Sequence, residues 1–563
     1  MKSCPCCSRG NLVRIISAAF VGLVCHFAVC AAVAQPAATQ ERRAVGDDAK
    51  AVSAKPHATP LSGTLVLWGG GEPTEEIRQT FSRMSRPAPP GARRGRGRGR
   101  RGRGARQGGG DSQTNQNGAT QQQEQPEPDP PKIADWKPGE PLPEDIDQLD
   151  GLWVQATAAE YTSQVSGSDA EEEFAKMLGR GGAVAIPAIE TELLPYVAIG
   201  LAYLESDRDS DDVKSAVQAL KERPGTFGLG VAPETAVFLN RRRMIALGEE
   251  PAVVVLPASK EREVLFKEIS GNRNWEDLVG LSRASLARLG ETFPAAKPNA
   301  PHVENGSLLI VGGGGMTQEM WQTFIDSAGG PDAPLVVLPT ASNPPNPNPG
   351  EARLLARMGA TDVTVLAQNT PEGVTSDEFV SALKRAKGVW FGGGRQWNFV
   401  DAYEGTGAVE LFHDVLRRGG IIAGSSAGAS IQAEYMVRGS PLVNTIMMAE
   451  GYERGFGFLP GSAVDQHFFQ RDRFADLLSV HNAFPQLMCF GVDETTGMFI
   501  RKNILQVMGR GNVAIYDSQT PPDEGKDYFN VATGEFFDLT TRKKITQEEA
   551  EQQLGAAEGA KVP

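Results

Sequence analysis

Short runs of uninterrupted apolar residues alternate along this chain with longer stretches in which apolar positions recur at helical spacing. In the C-terminal half the runs fall at 308–311, 335–338, 363–366, 388–391 and 420–423, and a helical pattern spans 408–417. A strand that is apolar at every position is buried on both faces. The pattern therefore predicts an α/β fold with a mostly parallel sheet covered by helices on either side. Side chains that act on ligands gather at the carboxyl ends of such strands.

The pattern occurs twice. Residues 63–81 and 306–324 each read as a short apolar strand, a glycine turn and a helix start. Three further pairs follow in the same order: 151–153 with 388–390, 180–185 with 418–423, and 229–234 with 490–495. Ordered matches of this kind are the mark of a duplicated unit. The chain is expected to hold two tandem copies of one α/β domain, at 61–290 and 303–540, followed by a charged helical tail at 541–563. The glycine turns at 69–71 and 312–315 lack a complete G-x-G-x-x-G, so they do not by themselves predict a dinucleotide site.

Composition narrows the class. The chain has 563 residues, 40% of them hydrophobic, with a net charge of −13. That excludes wholesale disorder, collagen and a multi-span membrane protein. Two stretches are basic: the first 34 residues, with Lys2, Arg9 and Arg14, and the Arg-Gly run from Arg93 to Arg106. The remainder is acidic, which argues against a nucleic-acid partner. Basic residues, an apolar run from Ile15 and the small-x-small triplet Ala32-Val33-Ala34 before Gln35 predict a cleaved export signal at 1–34. Phe27-Ala28-Val29-Cys30 is a poorer, lipoprotein-type alternative. A flexible leader at 35–60 follows, and the protein is expected in the periplasm or outside the cell, with no membrane span after cleavage. Five of the six cysteines lie in the signal, leaving Cys489 and no internal disulfide. Residues 83–148, rich in Arg, Gly, Gln and Pro, are expected to form a disordered insert in the first copy.

The sharpest chemistry sits at Gly424-Ser425-Ser426-Ala427-Gly428, a G-x-S-x-G between an apolar strand and a small-residue helix start. That is the context of a nucleophile elbow, with Ser426 at the exposed position. A serine hydroxyl needs a base and an orienting acid. Six histidines are available. His26 lies in the signal, His57 in the leader and His302 before the second copy. His413 falls within a helical pattern and is expected to be exposed, and His481 sits at a helix end. His467, in Asp465-Gln-His-Phe-Phe-Gln-Arg-Asp-Arg473, lies among polar groups and is the favoured base. The acid comes from Asp493-Glu494 at the end of another apolar run; spacing does not separate the two.

Gly424–Ala429, Asp465–Arg473 and Gly491–Thr495 together resemble the cyanophycinase family of serine peptidases, which also includes aspartyl dipeptidase. The resemblance runs from about Gly306 to Asp517. It implies a class I glutamine-amidotransferase-like (flavodoxin-like) fold, with Ser426 as nucleophile, His467 as base and Glu494 as acid, and no metal or organic cofactor. It further implies that Gln396, Asp465, Gln466, Arg471 and Arg473 bind substrate. The backbone N–H of Ala427, with that of Gly394 from the loop Gly392-Gly-Gly-Arg-Gln396, would form the oxyanion hole. Two positions depart from the family: Asp476 stands where cyanophycinases carry a third arginine, and the glycine loop reads Gly-Arg-Gln where Gly-Asp-Gln is common.

The first copy places Ala188 where Ser426 falls and Ala232-Pro233 opposite Asp493-Glu494, and it has no histidine between His57 and His302. It cannot run the same chemistry and is expected to pack on the active copy as an intrachain pseudo-dimer, or to hold a ligand; a homodimer is the other assembly considered. The expected activity is an exported serine exopeptidase acting on cyanophycin or related β-aspartyl peptides. The alternatives are an aspartyl dipeptidase of the same family and a non-catalytic polyanion-binding protein.

Overall fold

Leu308 and Ile310 pack into one apolar core, while Leu309 and Val311 pack into another on the opposite face of the same strand. Leu65 and Leu67 divide from Val66 and Trp68 in the same way. This two-sided burial, worth about 1.5–3 kcal/mol for each large apolar side chain, is why both strands read as unbroken apolar runs. A computed structural model describes residues 57–85 and 129–559. The expected signal at 1–34, most of the leader and the Arg-Gly run therefore lie outside the described residues.

Each copy is built on a large sheet and a smaller one. In the first copy the central strand Thr64–Trp68 pairs parallel with Ala183–Pro187 on one side and antiparallel with Ala236–Asn240 on the other. In the second copy Val303–Val311 pairs parallel with Ile421–Ser425 and antiparallel with Thr496–Lys502. The large sheets have seven and nine strands, the smaller ones four and five. The expectation of mostly parallel sheets is thus corrected to mixed ones. Beyond Val303–Val311 the strands Thr496–Lys502, Ile504–Gly509, Phe536–Asp538 and Lys543–Ile545 run antiparallel in turn. A connection as short as Asn503 can only join antiparallel neighbours.

Two boundaries also move. The stretch 83–148 is not wholly unstructured: Ile133–Trp136 forms the edge strand of the first large sheet, parallel to Gly151–Val154, and Trp136 is buried against Phe174. The tail at 541–563 begins inside the second sheet with Lys543–Ile545 before the helix Gln547–Gly559. Among the described residues no helix is long and apolar enough to cross a membrane.

The register makes the duplication quantitative. Trp68 lies beside Pro187 and Val311 beside Ser425, so Ala188 occupies the place of Ser426. Glu234 and Thr495 share a left-handed backbone, with φ of 57° and 56°, and their N–H groups donate to the equivalent carbonyls of Gly70 and Gly313.

The two copies pack together within one body through arginines of the first and carboxylates of the second. Arg242 meets Asp401, Arg283 meets Glu404, Arg262 meets Glu453 at 2.5 Å, and Arg288 meets Glu450 at 2.6 Å. Arg283 and Arg288 belong to the helix Leu278–Leu289, which links the copies and presents buried polar residues along with Leu278 and Leu281.

Candidate active site

Three strand ends converge beside the glycine turn that follows Val303–Val311. Ser426 leaves Ile421–Ser425 with φ 57° and ψ −110°, its N–H donating to the Val311 carbonyl at 3.0 Å. A non-glycine residue in this region is strained, and such strain is typical of a side chain held out for chemistry. The turn can be this tight because Gly428 lies against the neighbouring strand: a Cβ there would come within 2.1 Å of the Phe391 carbonyl oxygen. His467 follows Leu459–Gln466, also at positive φ (52°), with its N–H on the Gly312 carbonyl at 2.7 Å. Glu494 follows Met488–Val492.

These ends bring the three side chains into a relay. Ser426 Oγ is 3.0 Å from His467 Nε2, and His467 Nδ1 is 2.6 Å from Glu494 Oε1. Asp493 faces elsewhere: its carboxylate accepts from the backbone N–H groups of Phe469 at 3.1 Å and Asn512 at 3.0 Å, which fastens the two loops flanking the histidine. The glycine turn closes the back of the relay. Gly313, at φ 103°, leaves so little room that a Cβ would fall 2.2 Å from Cε1 of the His467 ring.

Burial holds the His467 imidazole below its ordinary pKa, with Arg471 adding to the effect and the Glu494 hydrogen bond opposing it. A base must be unprotonated to accept a proton, so a lowered pKa extends the active form toward acid. The rate is expected to rise with pH through a midpoint below the ordinary histidine value of about 6.5 and to stay level through neutrality. A kcat/KM profile checks this; an acid limb centred above that value would contradict it.

The residues expected to meet substrate divide. Arg471 is exposed beside His467. Asp465, expected in the pocket, is instead fully buried and held by Arg438, through Nε at 2.9 Å and Nη2 at 3.0 Å, and by Arg473 Nη1 at 2.8 Å. Arg473, also buried, donates from the same nitrogen to the Gln466 carbonyl at 2.7 Å and to Gln466 Oε1 at 2.9 Å. Gln396 is buried too, its Nε2 on the Val437 carbonyl at 2.8 Å. Asp465, Gln466 and Arg473 thus share one buried hydrogen-bonded cluster at the end of the strand that leads into His467, and Gln396 is tied to the neighbouring Val437. In the glycine loop Gly393, not Gly394, lies against the nucleophile: a Cβ at Gly393 would sit 3.6 Å from that of Ser426, whereas one at Gly394 would meet the Ala341 carbonyl. His413 is half-buried rather than exposed, hydrogen-bonded to the Phe456 carbonyl at 2.8 Å.

Arg438 is the residue that the sequence left unmarked. It bridges Asp465 and Asp476, the latter at 2.6 Å, and sits among apolar residues with nothing nearby in sequence to suggest its partners. Gln470 is a second, accepting the Glu494 N–H at 2.8 Å. Removing Arg438 would leave a buried carboxylate with one counter-charge. Arg438→Met is expected to lower stability by about 3–5 kcal/mol in urea unfolding. A loss below about 1 kcal/mol, the value of an exposed pair, would show that the cluster is dispensable.

A family model for peptidase family S51 matches residues 308–508, the core of the second copy. A cyanophycinase of Nostoc sp. is 32% identical over 228 residues, covering 38% of this chain and 75% of that protein. A cyanophycinase of Synechococcus elongatus is 31% identical over 236 residues, covering 40% of this chain and 72% of that protein. Among solved structures, a peptidase from an acI-B1 Actinobacterium is 22% identical with a TM-score of 0.34, over 42% of this chain and 97% of that one. With a histidine-centred relay in the matched region and relatives aligned over most of their length, the chain belongs to peptidase family S51, as a cyanophycinase-like serine peptidase.

Proposed function

We propose that this protein is an exported exopeptidase that hydrolyses cyanophycin, multi-L-arginyl-poly-L-aspartate, or related β-aspartyl peptides to dipeptides. The observation that carries the reading is the unbroken hydrogen-bonded path from Ser426 Oγ through His467 to Glu494. The relatives named cyanophycinase supply the substrate class. His467 Nε2 takes the Ser426 proton as Oγ attacks the amide carbonyl, and Glu494 steadies the imidazolium. Collapse of the tetrahedral intermediate breaks the C–N bond, and His467 returns the proton to the leaving amine. Water then attacks the acyl-enzyme by the reverse proton path and frees Ser426.

Charge on the tetrahedral oxygen is met by backbone donors. Ala427 is the first residue of a helical turn, so its N–H has no partner within that helix. The second donor comes from the glycine loop, where Gly393 stands closest to Ser426. Export rests on residues 1–34, and a mature N-terminus at Gln35 is the corresponding measurement.

Incubating the protein with cyanophycin and identifying the products by mass spectrometry tests the reading; release of β-Asp-Arg dipeptide is the expected result. Intact polymer together with cleavage of free Asp-X dipeptides would replace it with the aspartyl dipeptidase reading. That second reading draws on Asp465, which its own arginines occupy, and on Asp476 in place of a family arginine. The relay and the family membership both weigh against a purely polyanion-binding protein.

A further inference from the structure

The glycine loop beside the nucleophile ends in an arginine whose charge is not balanced. Arg395 Nη2 donates to the Ser440 carbonyl at 2.5 Å, and its Nε is buried without a hydrogen-bond partner. No carboxylate pairs with it among the described residues. Its position is well defined. Gly393, two residues earlier, lies against Ser426, and the backbone N–H of Arg395 itself donates to the Ala341 carbonyl at 2.9 Å. Gln396, one residue later, is tied to Val437. Arg395 therefore leaves the chain two residues after the glycine that touches Ser426, and its guanidinium reaches the segment that carries Arg438 and Ser440. Burial lowers its pKa, as expected for a charge stripped of water without compensation.

Four carboxylates around the relay are already engaged. Asp465 is shared by Arg438 and Arg473, and Asp476 by Arg438. Asp493 is taken by two backbone N–H groups, and Glu494 by His467. On the open side, Arg471 likewise has no ion pair among the described residues. Arg395 and Arg471 thus lack ion pairs among the described residues, and the exposed Asp472 beside Arg471 pairs with neither. A desolvated charge without a counter-ion is costly, and such charges persist where a ligand supplies the opposite sign.

We propose that Arg395 is a specificity-determining residue that receives a carboxylate of the substrate beside the scissile bond, so that the enzyme selects acidic peptides by their carboxylate and does not need a substrate guanidinium. This rests on Ser426 being the nucleophile. The carboxylate is either that of an aspartyl side chain or a free α-carboxylate on a branched residue. Both present the same planar pair of acceptors to a guanidinium fork.

The test is a matched set of synthetic β-aspartyl peptides: one with all carboxylates free, two with each carboxylate class amidated in turn, and one with arginine replaced by neutral citrulline. In the natural enzyme one amidation is expected to lower kcat/KM by about 100-fold, the value of a lost charge-assisted hydrogen bond, and it identifies which carboxylate is read. The citrulline exchange is expected to cost less than about 5-fold, below one such bond. In R395M the acid-over-amide ratio should collapse toward unity, and R395K should keep its sign at reduced size. An unchanged ratio in R395M overturns the proposal, as does a citrulline penalty equal to that of amidation. If R395M does not fold, a wild-type ratio in R395K overturns it instead. Failure of the natural enzyme to be labelled at Ser426 by a fluorophosphonate would instead refute the serine-nucleophile reading beneath it.

Discussion

Replacing Ser426 by alanine is expected to lower kcat/KM by about 10⁴-fold or more and to abolish covalent labelling by a fluorophosphonate. Ser426 Oγ is the hydroxyl that reaches the His467 ring; of its neighbours, Ser425 belongs to the preceding strand and Ser430 is fully buried. The substitution should leave the fold intact. Alanine and serine tolerate the backbone at φ 57° about equally, so the strain at the turn is common to both proteins. The loss is therefore chemical rather than structural. His467→Ala should be comparably damaging, and the double variant no worse than either single one, because the groups act as a unit. Single losses that multiply in the double variant would break the relay model, as would S426A activity within tenfold of the natural enzyme.

Gly313→Ala is the second large effect expected, and it adds only one methyl group. That methyl would overlap the His467 ring, at 2.2 Å from Cε1, while the backbone at φ 103° already resists any side chain. The imidazole must tilt away from both Ser426 and Glu494. A displaced base of this kind costs on the order of 10²–10³-fold in kcat. The first copy supplies the control. Gly70 occupies the equivalent turn at φ 97°, with nothing within 4 Å of where its Cβ would lie. Gly70→Ala should therefore carry the same backbone penalty, about 1–2 kcal/mol, and leave the rate untouched. Equal rates for the two variants would show that the glycine turn does not set the histidine's position.

Much of this was readable in the residues, for reasons that can be named. Strands Leu335–Leu338 and Gly388–Phe391 and helix Ala408–Arg417 coincide with their sequence patterns because each is set by local burial. The nucleophile strand runs to Ser425, two residues past the apolar run, because the turn begins only when Ser426 leaves the ladder. Ile133–Trp136 escaped notice because four residues between acidic and proline-rich flanks become a strand only when Gly151–Val154 is there to pair with. Charge pairing was the least legible layer. The composition of 465–473 shows acids and arginines, but whether Asp465 faces a ligand or the interior depends on Arg438, which precedes it by 27 residues and bonds it from another segment. The choice between Asp493 and Glu494 likewise turned on direction. Adjacent side chains diverge, and only the loop geometry decides which one meets the imidazole.

The arginine-to-carboxylate seam between the copies bears on how such a protein can change over generations. Asp401, Glu404, Glu450 and Glu453 of the half that holds the relay have their charges answered by a half that has alanine at the place of Ser426. Loss of that half would strand four anions on one face in a single event, whereas ordinary point changes remove one at a time. Charge pairing of this kind gives the first half a structural value that does not depend on its own chemistry.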